Sequence, residues 1–150
     1  MQISNKQINK AFTLIELLVV ISIIGVLVAV SIFGLSGARE SARDARRKSD
    51  LELIKGGLEI YKADCNAYPA TIPTAGSALV GTGTPTSCAI ANTYISARPG
   101  DPIAATKNYV YQVSGSGYNL CASLEQQGLA TINCGASCGS TACNYKITNP

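Results

Sequence analysis

The amino-terminal part of the chain changes abruptly from polar to apolar. Residues 1–11 are polar and include two lysines but no acid, whereas the twenty-two residues from Leu17 to Ala38 carry no charged side chain. A helix of about 20 apolar residues, rising 1.5 Å per residue, crosses the hydrocarbon core of a bilayer. The pattern therefore predicts a membrane-spanning helix. The lysines that precede it predict a cytoplasmic amino terminus, with the rest of the chain on the other side of the membrane.

After the apolar stretch, apolar and small residues recur every three or four positions, which is the spacing of an α-helix. One set, called here the small-residue face, consists of Ala38, Ala42, Ala45, Ser49, Leu53, Gly56, Ile60 and Ala63. A second set, the bulky face, begins later and lies nearly opposite: Leu51, Ile54, Leu58 and Tyr61. Because no proline occurs between residues 17 and 64, one continuous helix is predicted from Phe12 to Asp64.

Two apolar faces on one helix need two partners. We expect the bulky face to pack on the chain's own carboxy-terminal region. The small-residue face would let another helix approach closely, as packing between subunits requires. The alternative is that one enveloping domain covers both faces. The charged residues between the faces, among them Arg43, Asp44 and Arg47, are interpreted as ordinary solvated surface.

The region after residue 64 has the pattern of short strands and turns. Asn66 and Pro69 are helix-stop signals, and residues 70–87, rich in Gly, Pro, Ser and Thr, are predicted to be a loop. Two alternating segments flank a Ser-Gly-Ser-Gly turn and predict a β-hairpin. Strands are predicted at residues 109–113, 118–124 and 144–147. The predicted fold class is α+β, with a long helix packed on a small antiparallel sheet.

Composition removes several classes of function. The chain has no histidine, and therefore lacks the commonest general base and the commonest zinc ligand. No acid–base pair or activated nucleophile is recognisable, so neither an enzymatic role nor a cofactor is predicted. The net charge is only +3, and nearby acids match the basic residues, which argues against a primary nucleic-acid binder.

Six cysteines in a chain of 150 residues indicate an oxidising compartment. Fifteen pairings are possible, and we predict the disulfides Cys65–Cys88, Cys121–Cys134 and Cys138–Cys143. The three cysteines nearest the carboxy terminus could instead suggest zinc, but their spacing is poor and no histidine assists them. A metal site is therefore not predicted there.

The junction between the polar start and the apolar helix carries a specific motif, Lys10-Ala11-Phe12-Thr13-Leu14-Ile15-Glu16-Leu17. It resembles the processing site of type IV prepilins and of type II secretion pseudopilins. The resemblance implies that prepilin peptidase cleaves between Ala11 and Phe12 and that the new Phe12 amine is methylated. Members of this family usually have glycine where this chain has Ala11.

Two other interpretations of this segment are weaker. An ordinary signal peptide cleaved after Ser36-Gly37-Ala38 would have an apolar core of about 7–15 residues, and this one is longer. An uncleaved signal anchor would leave Glu16 without a purpose, although a carboxylate at the edge of a bilayer is costly enough to suggest a partner. The resemblance implies that the Phe12 amine of one subunit forms an ion pair with Glu16 of the next, and that this pair favours assembly in the correct register. The alternative is that Glu16 snorkels to the lipid headgroups.

The resemblance implies the pilin fold and a division of the chain into four segments. Residues 1–11 are the cleaved leader, 12–38 the membrane and filament-core helix, 39–64 its amphipathic continuation, and 65–150 the exported sheet and loops. The expected partners are further copies of the chain, prepilin peptidase, an inner-membrane assembly platform, and membrane lipid before assembly. The expected location is the inner membrane, followed by an extracellular pilus or a periplasmic pseudopilus.

The main functional hypothesis is a structural subunit of a type IV pilus-like filament, and its alternative is a major pseudopilin of a type II secretion system. A second alternative is a tip or minor pilin that binds DNA or a surface. In that case the aromatic rings of Tyr94, Tyr109, Tyr111 and Tyr118 would stack on bases or sugars, although few cations lie nearby to support nucleic-acid binding.

The resemblance also bears on metal binding. The G-type major pseudopilins bind calcium in a carboxy-terminal loop through acidic and carbonyl oxygens. After Asp101 this chain has one acid, Glu125. Because hard divalent cations need several oxygen ligands, we expect no such site here.

Overall fold

The structure is a computed structural model that describes residues 12–127 and 131–149. Its longest element is the helix α1 (Leu14–Cys65). Five short strands follow: β1 (Leu79–Val80), β2 (Thr93–Ile95), β3 (Val110–Ser114), β4 (Gly117–Ala122) and β5 (Tyr145–Thr148). The chain divides into two compact units between Arg39 and Glu40, called here the amino-terminal and the carboxy-terminal unit.

In the amino-terminal unit, α1 begins two residues later than predicted because Thr13 and Glu16 cap it. The backbone N–H and the hydroxyl of Thr13 donate to Oε2 of Glu16 at 2.9 and 2.6 Å, and the Glu16 N–H donates to the Thr13 hydroxyl at 3.3 Å. This reciprocal arrangement is a capping box. Within α1, an 18-residue window has a mean hydropathy of 2.9 and no buried residue, so its length and composition suit a membrane crossing.

In the carboxy-terminal unit, the bulky face of α1 forms the core with the strands. Leu51, Ile54 and Leu58 are fully buried and Tyr61 is nearly so, in one cluster with strand residues such as Leu120. The structure therefore shows the predicted packing of the bulky face on the chain's own sheet. Gly57 allows the close approach of β2, because a Cβ atom there would lie 2.3 Å from Cγ1 of Ile95.

The helix ends at Cys65, close to the predicted stop. Asn66 adopts the left-handed conformation, with φ of 61°, and its N–H donates to the carbonyl of Lys62 at 2.8 Å. Asparagine tolerates this conformation better than most residues and serves as a helix C-cap.

The strands form two antiparallel sheets. One has the order β3-β4-β5, and its β3–β4 hairpin turns between Ser114 and Gly117, as the Ser-Gly-Ser-Gly sequence predicts. The hairpin and the last strand are confirmed, with ends shifted by one or two residues. The other sheet pairs β1 with β2 and was missed, because residues 70–87 were predicted to be only a loop. A strand of two residues is too short to show alternation.

All six cysteines form disulfides, in the predicted pairs. The bridge Cys65–Cys88 ties the end of α1 to the loop that follows β1. The bridges Cys121–Cys134 and Cys138–Cys143 lie side by side in a second buried cluster next to Val110. These links hold a region of the chain that has little regular structure.

Candidate assembly surfaces on the long helix

The small-residue face is open to solvent along its whole length. All eight of its members, from Ala38 to Ala63, are exposed. Two of them are large apolar residues, Leu53 and Ile60, whose exposed fractions are 54% and 59%. The alternative that one domain envelops both faces is therefore wrong. The strands cover the bulky face and leave the small-residue face uncovered.

The predicted processing and assembly residues lie at the amino-terminal end of α1. Phe12 is exposed, whereas Ala11 and the rest of the predicted leader lie outside the described residues. Glu16 accepts its hydrogen bonds from Thr13 of its own chain. Sequence reasoning missed this partner, although the spacing Thr-x-x-Glu ahead of an apolar run is itself the signal of a capping box.

The interpretation of Arg43, Asp44 and Arg47 as solvated surface is wrong. The Arg47 side chain is fully buried, and its guanidinium forms a bidentate pair with Asp101 at 2.7 and 3.0 Å. The same guanidinium donates to Asp44 at 2.7 Å and to Glu125 at 2.6 Å. Three carboxylates from three segments therefore satisfy one buried cation, as burial of a charge requires.

The network also fixes the segment that follows β4. Arg43 donates to both carboxylate oxygens of Glu125, and Asp44 accepts the backbone N–H groups of Glu125 and Gln126. The hydrogen bond from Arg43, supported by Arg47, lowers the pKa of Glu125 to about 2. Burial opposes ionisation of Asp44, but its backbone and Arg47 hydrogen bonds outweigh this and lower its pKa. Burial likewise opposes the charge of Arg47, and its three carboxylate partners raise its pKa.

The tyrosines proposed as a binding surface are engaged within the chain. The hydroxyl of Tyr109 donates to Asp50 at 2.8 Å and that of Tyr118 to Glu59 at 3.1 Å, and both rings are buried. The Tyr94 hydroxyl donates to Asp64 and that of Tyr111 to the carbonyl of Pro69. Burial and the hydrogen bond to a carboxylate raise the pKa of Tyr109 and Tyr118. These tyrosines join the sheet to the helix, which argues for packing and against stacking on a ligand.

A polar cleft of about 430 Å³ is lined by Glu40, Lys107, Thr141 and Asn144, among others. Its cation, the Lys107 ammonium, donates to the carbonyl of Ser123 at 3.1 Å. In the described part of the chain, no group of three or more histidine, cysteine or acidic side chains is arranged to hold a metal ion. Of the two carboxylates that line the cleft, that of Glu125 is bound by Arg43 and Arg47.

Two known protein families match this chain, one over its amino-terminal part and one over most of the remainder. Residues 6–36 match the family described as "Prokaryotic N-terminal methylation motif", and residues 35–130 match "Type II secretion system (T2SS), protein G". No solved structure shows a significant match.

Among curated proteins, the chain is similar to type II secretion system core protein G of several species, among them Klebsiella pneumoniae, Escherichia coli K12 and Pseudomonas aeruginosa. It is 42% identical to that of Klebsiella pneumoniae over 65 residues, which are 43% of this chain and 46% of the relative. It is 39% identical to the Escherichia coli K12 protein over 71 residues, 47% and 48% of the two chains. With the Pseudomonas aeruginosa protein it shares 38% over 63 residues, 42% and 44%.

The matched region thus spans about half the length of these curated relatives. The family match is longer and covers most of α1, both sheets except β5, and the segment that contains Glu125. A match over this length assigns the fold as well as the family. The chain belongs to the type II secretion system protein G family.

Proposed function

We propose that this chain is a structural subunit of a type II secretion pseudopilus, anchored and polymerised through α1, with no catalytic role. The observation that carries the proposal is the protein G match over residues 35–130, joined to a helix whose small-residue face is exposed. The pilus subunit favoured by the sequence gives way to its alternative, the pseudopilin. Each relative compared above is named as a secretion protein.

Maturation is the first step of the proposed function. Prepilin peptidase removes residues 1–11 and methylates the amine of Phe12, and the methylation-motif match over residues 6–36 supports this step. The intact mass of the membrane-extracted protein should correspond to a chain that begins at Phe12 and carries one added methyl group. Ala11→Gly should be processed normally, whereas a bulky residue at this position should block cleavage. A mature chain that begins at Arg39 would refute this scheme in favour of an ordinary signal peptide.

The proposed topology follows from α1 and the disulfides. Residues 12–38 lie in the inner membrane before assembly and in the filament core afterwards. Residues 39–64 continue the helix outside the membrane and carry the sheets and loops of residues 65–150. Three disulfides in that last segment suit the periplasm, which is an oxidising compartment.

In the assembled filament, we assign the small-residue face to contacts between subunits. We assign Glu16 to the alignment of neighbouring helices in the correct register. In the single subunit, the hydrogen bonds from Thr13 reduce the cost of holding a carboxylate at the membrane edge. Assembly then offers Glu16 the methylated amine of a neighbouring subunit. An ion pair of this kind forms only when two helices are in the correct register.

The deciding experiment is deletion of the gene that encodes this chain in its native organism. If the chain is a secretion pseudopilin, the exported substrates of the secretion system should accumulate in the periplasm of the deletion strain, while surface pili and twitching motility persist. Complementation with the full chain should restore secretion, and complementation with Glu16→Ala should not. Loss of pili with intact secretion would support the pilus interpretation instead.

A further inference from the structure

The three disulfides join cysteines that are consecutive along the chain. The first cysteine bonds to the second, the third to the fourth and the fifth to the sixth, so that each bridge ends before the next begins. Of the fifteen pairings that six cysteines allow, only this one results when each newly available cysteine bonds to the unpaired one before it. The observed pattern is therefore the pattern expected of oxidation in chain order.

Proximity in the fold leaves the choice of partner open for four of these cysteines. They lie together in one buried cluster, which contains Cys121, Cys134, Cys138 and Cys143. Cys134 and Cys138 are only four positions apart in the chain, yet each bonds to a different partner. The order in which the thiols are oxidised accounts for this selection, whereas membership of one cluster does not.

The sulfur atoms are out of reach once the carboxy-terminal unit has folded. Five of the six cysteines have exposed fractions of at most 1%, namely Cys88, Cys121, Cys134, Cys138 and Cys143. A disulfide forms when a thiolate attacks another disulfide, and the rate of this reaction depends on access to the sulfur atoms. An enzyme cannot reach thiols that are buried in the folded unit. The bridges must therefore form before folding is complete.

The position of β5 in the chain supports this order. β5 follows all six cysteines and pairs with β4, where Cys121 lies opposite Lys146. If the amino terminus stays in the cytoplasm, as proposed above, the exported region crosses the membrane from its amino-terminal end. β4 then lacks its β5 partner until every cysteine has crossed, and the chain around Cys121 stays open to an oxidant during that time.

We propose that the exported region is a substrate of a periplasmic dithiol oxidase, which forms the three bridges in chain order, before filament assembly and without a disulfide isomerase. The inference rests on the proposed function for one point, the topology that exports residues 65–150. In each step, a thiolate of the chain attacks the disulfide of the oxidase, forms a mixed disulfide and releases one oxidase sulfur as a thiol. The second chain thiolate attacks the chain's sulfur in that mixed disulfide, which completes the bridge and releases the other oxidase thiol. Each bridge thus passes two electrons and two protons to the oxidase.

The variant Cys134→Ser separates oxidation in chain order from pairing directed by the fold. In the full chain, produced in a strain without disulfide isomerase, chain order should join Cys121 to Cys138 and leave Cys143 free. Pairing directed by the fold would keep Cys138–Cys143 and leave Cys121 free. Alkylation of free thiols, followed by digestion and mass spectrometry, identifies the bridge whether or not the variant folds. Retention of Cys138–Cys143 in this variant would overturn the proposal.

The matched control is Cys143→Ser, which removes the last cysteine to cross. Both schemes then leave Cys138 free and keep the bridges Cys65–Cys88 and Cys121–Cys134. A different bridge in the control would show that loss of any one cysteine scrambles the others, and would also overturn the proposal.

The oxidase itself is tested with the unmodified full chain. Deleting the gene for the periplasmic dithiol oxidase should raise thiol labelling of the chain by about tenfold or more, and cystine added to the medium should reverse this change. Deleting the isomerase gene should leave all three bridges intact, and unassembled subunits extracted from the membrane should already carry them. Complete oxidation without the oxidase, or altered bridges without the isomerase, would contradict the proposal. Normal bridges in a chain that forms no filaments and supports no secretion would refute the proposed function alone.

Discussion

Both faces of α1 in the carboxy-terminal unit carry large aliphatic residues, but the two faces differ in what covers them. Leu58 and Ile54 on the bulky face are fully buried, whereas Leu53 and Ile60 on the small-residue face are more than half exposed. The first pair holds the unit together, and the second contributes nothing to its core. Helical periodicity therefore identified both faces, but burial separates the residues that stabilise one subunit from those available to another.

Two adjacent arginines of α1 show the same difference between a buried and an exposed position. Arg46 is largely exposed and its nearest carboxylate oxygen, on Asp50, is 3.9 Å away. Arg47 is fully buried and has three carboxylate partners. One position along a helix turns the side chain by about 100°, so neighbouring residues of the same type have unrelated roles.

Arg47→Ala should produce the largest loss of stability. It leaves Asp44 and Asp101 buried without their cation, and breaking a buried ion pair in this way costs about 3–5 kcal/mol. Chemical denaturation of a fragment comprising residues 40–150 measures the loss. Arg46→Ala is the matched control and should change the free energy of unfolding by less than about 0.5 kcal/mol. Equal effects of the two variants would remove the distinction between them.

Leu58→Ala should come next. It leaves a cavity in the core and costs about 2–5 kcal/mol, which should appear as a lower melting temperature of the same fragment. Leu53→Ala removes the same side chain from the exposed face and should leave the melting temperature nearly unchanged. Destabilisation by Leu53→Ala would mean that the small-residue face belongs to the fold of the subunit.

Ala45→Leu should act on assembly and spare the fold. A larger side chain in a close helix contact costs about 1–3 kcal/mol at each interface, and a filament repeats that cost along its length. Filament yield should collapse, while the fragment of residues 40–150 keeps its melting temperature. Normal assembly with an unfolded fragment would show that the two faces have been assigned the wrong way round.

The last prediction concerns the pH dependence of stability. The pKa of Glu125 is about 2 in the folded chain, against an ordinary value of 4.5. A carboxyl whose pKa is lower in the folded state stabilises fully above its unfolded pKa and loses this contribution as the pH falls toward the folded value. The fragment should therefore lose stability between about pH 5 and pH 2. Glu125→Gln should flatten this part of the profile, and an unchanged slope would exclude Glu125 as its source.

Sequence patterns predicted what depends on local periodicity. The helix, its stop at Asn66, the hairpin and the bulky core face all follow from residues close together in the chain. The Arg47 network could not be read this way, because Asp101 and Glu125 are 54 and 78 residues distant from it. An arginine between acids at helical spacing looks like solvated surface until the strands bring distant carboxylates to it. The Thr13–Glu16 cap, by contrast, is local, and the spacing Thr-x-x-Glu is sufficient to predict it.

The ion pairs and the disulfide that join the helix to the rest of the carboxy-terminal unit have a mechanical consequence. Within the carboxy-terminal unit, the charged contacts of Arg43 and Arg47 join the start of its helix to Asp101 and Glu125, and a disulfide to Cys88 joins the end of the helix at Cys65. A subunit pushed along its helix axis transmits the load to the sheets through both attachments, with the hydrophobic core between them. Force along the axis then acts on these attachments in shear and does not peel the sheet from one end. Within this unit, the helix is thus held near both of its ends.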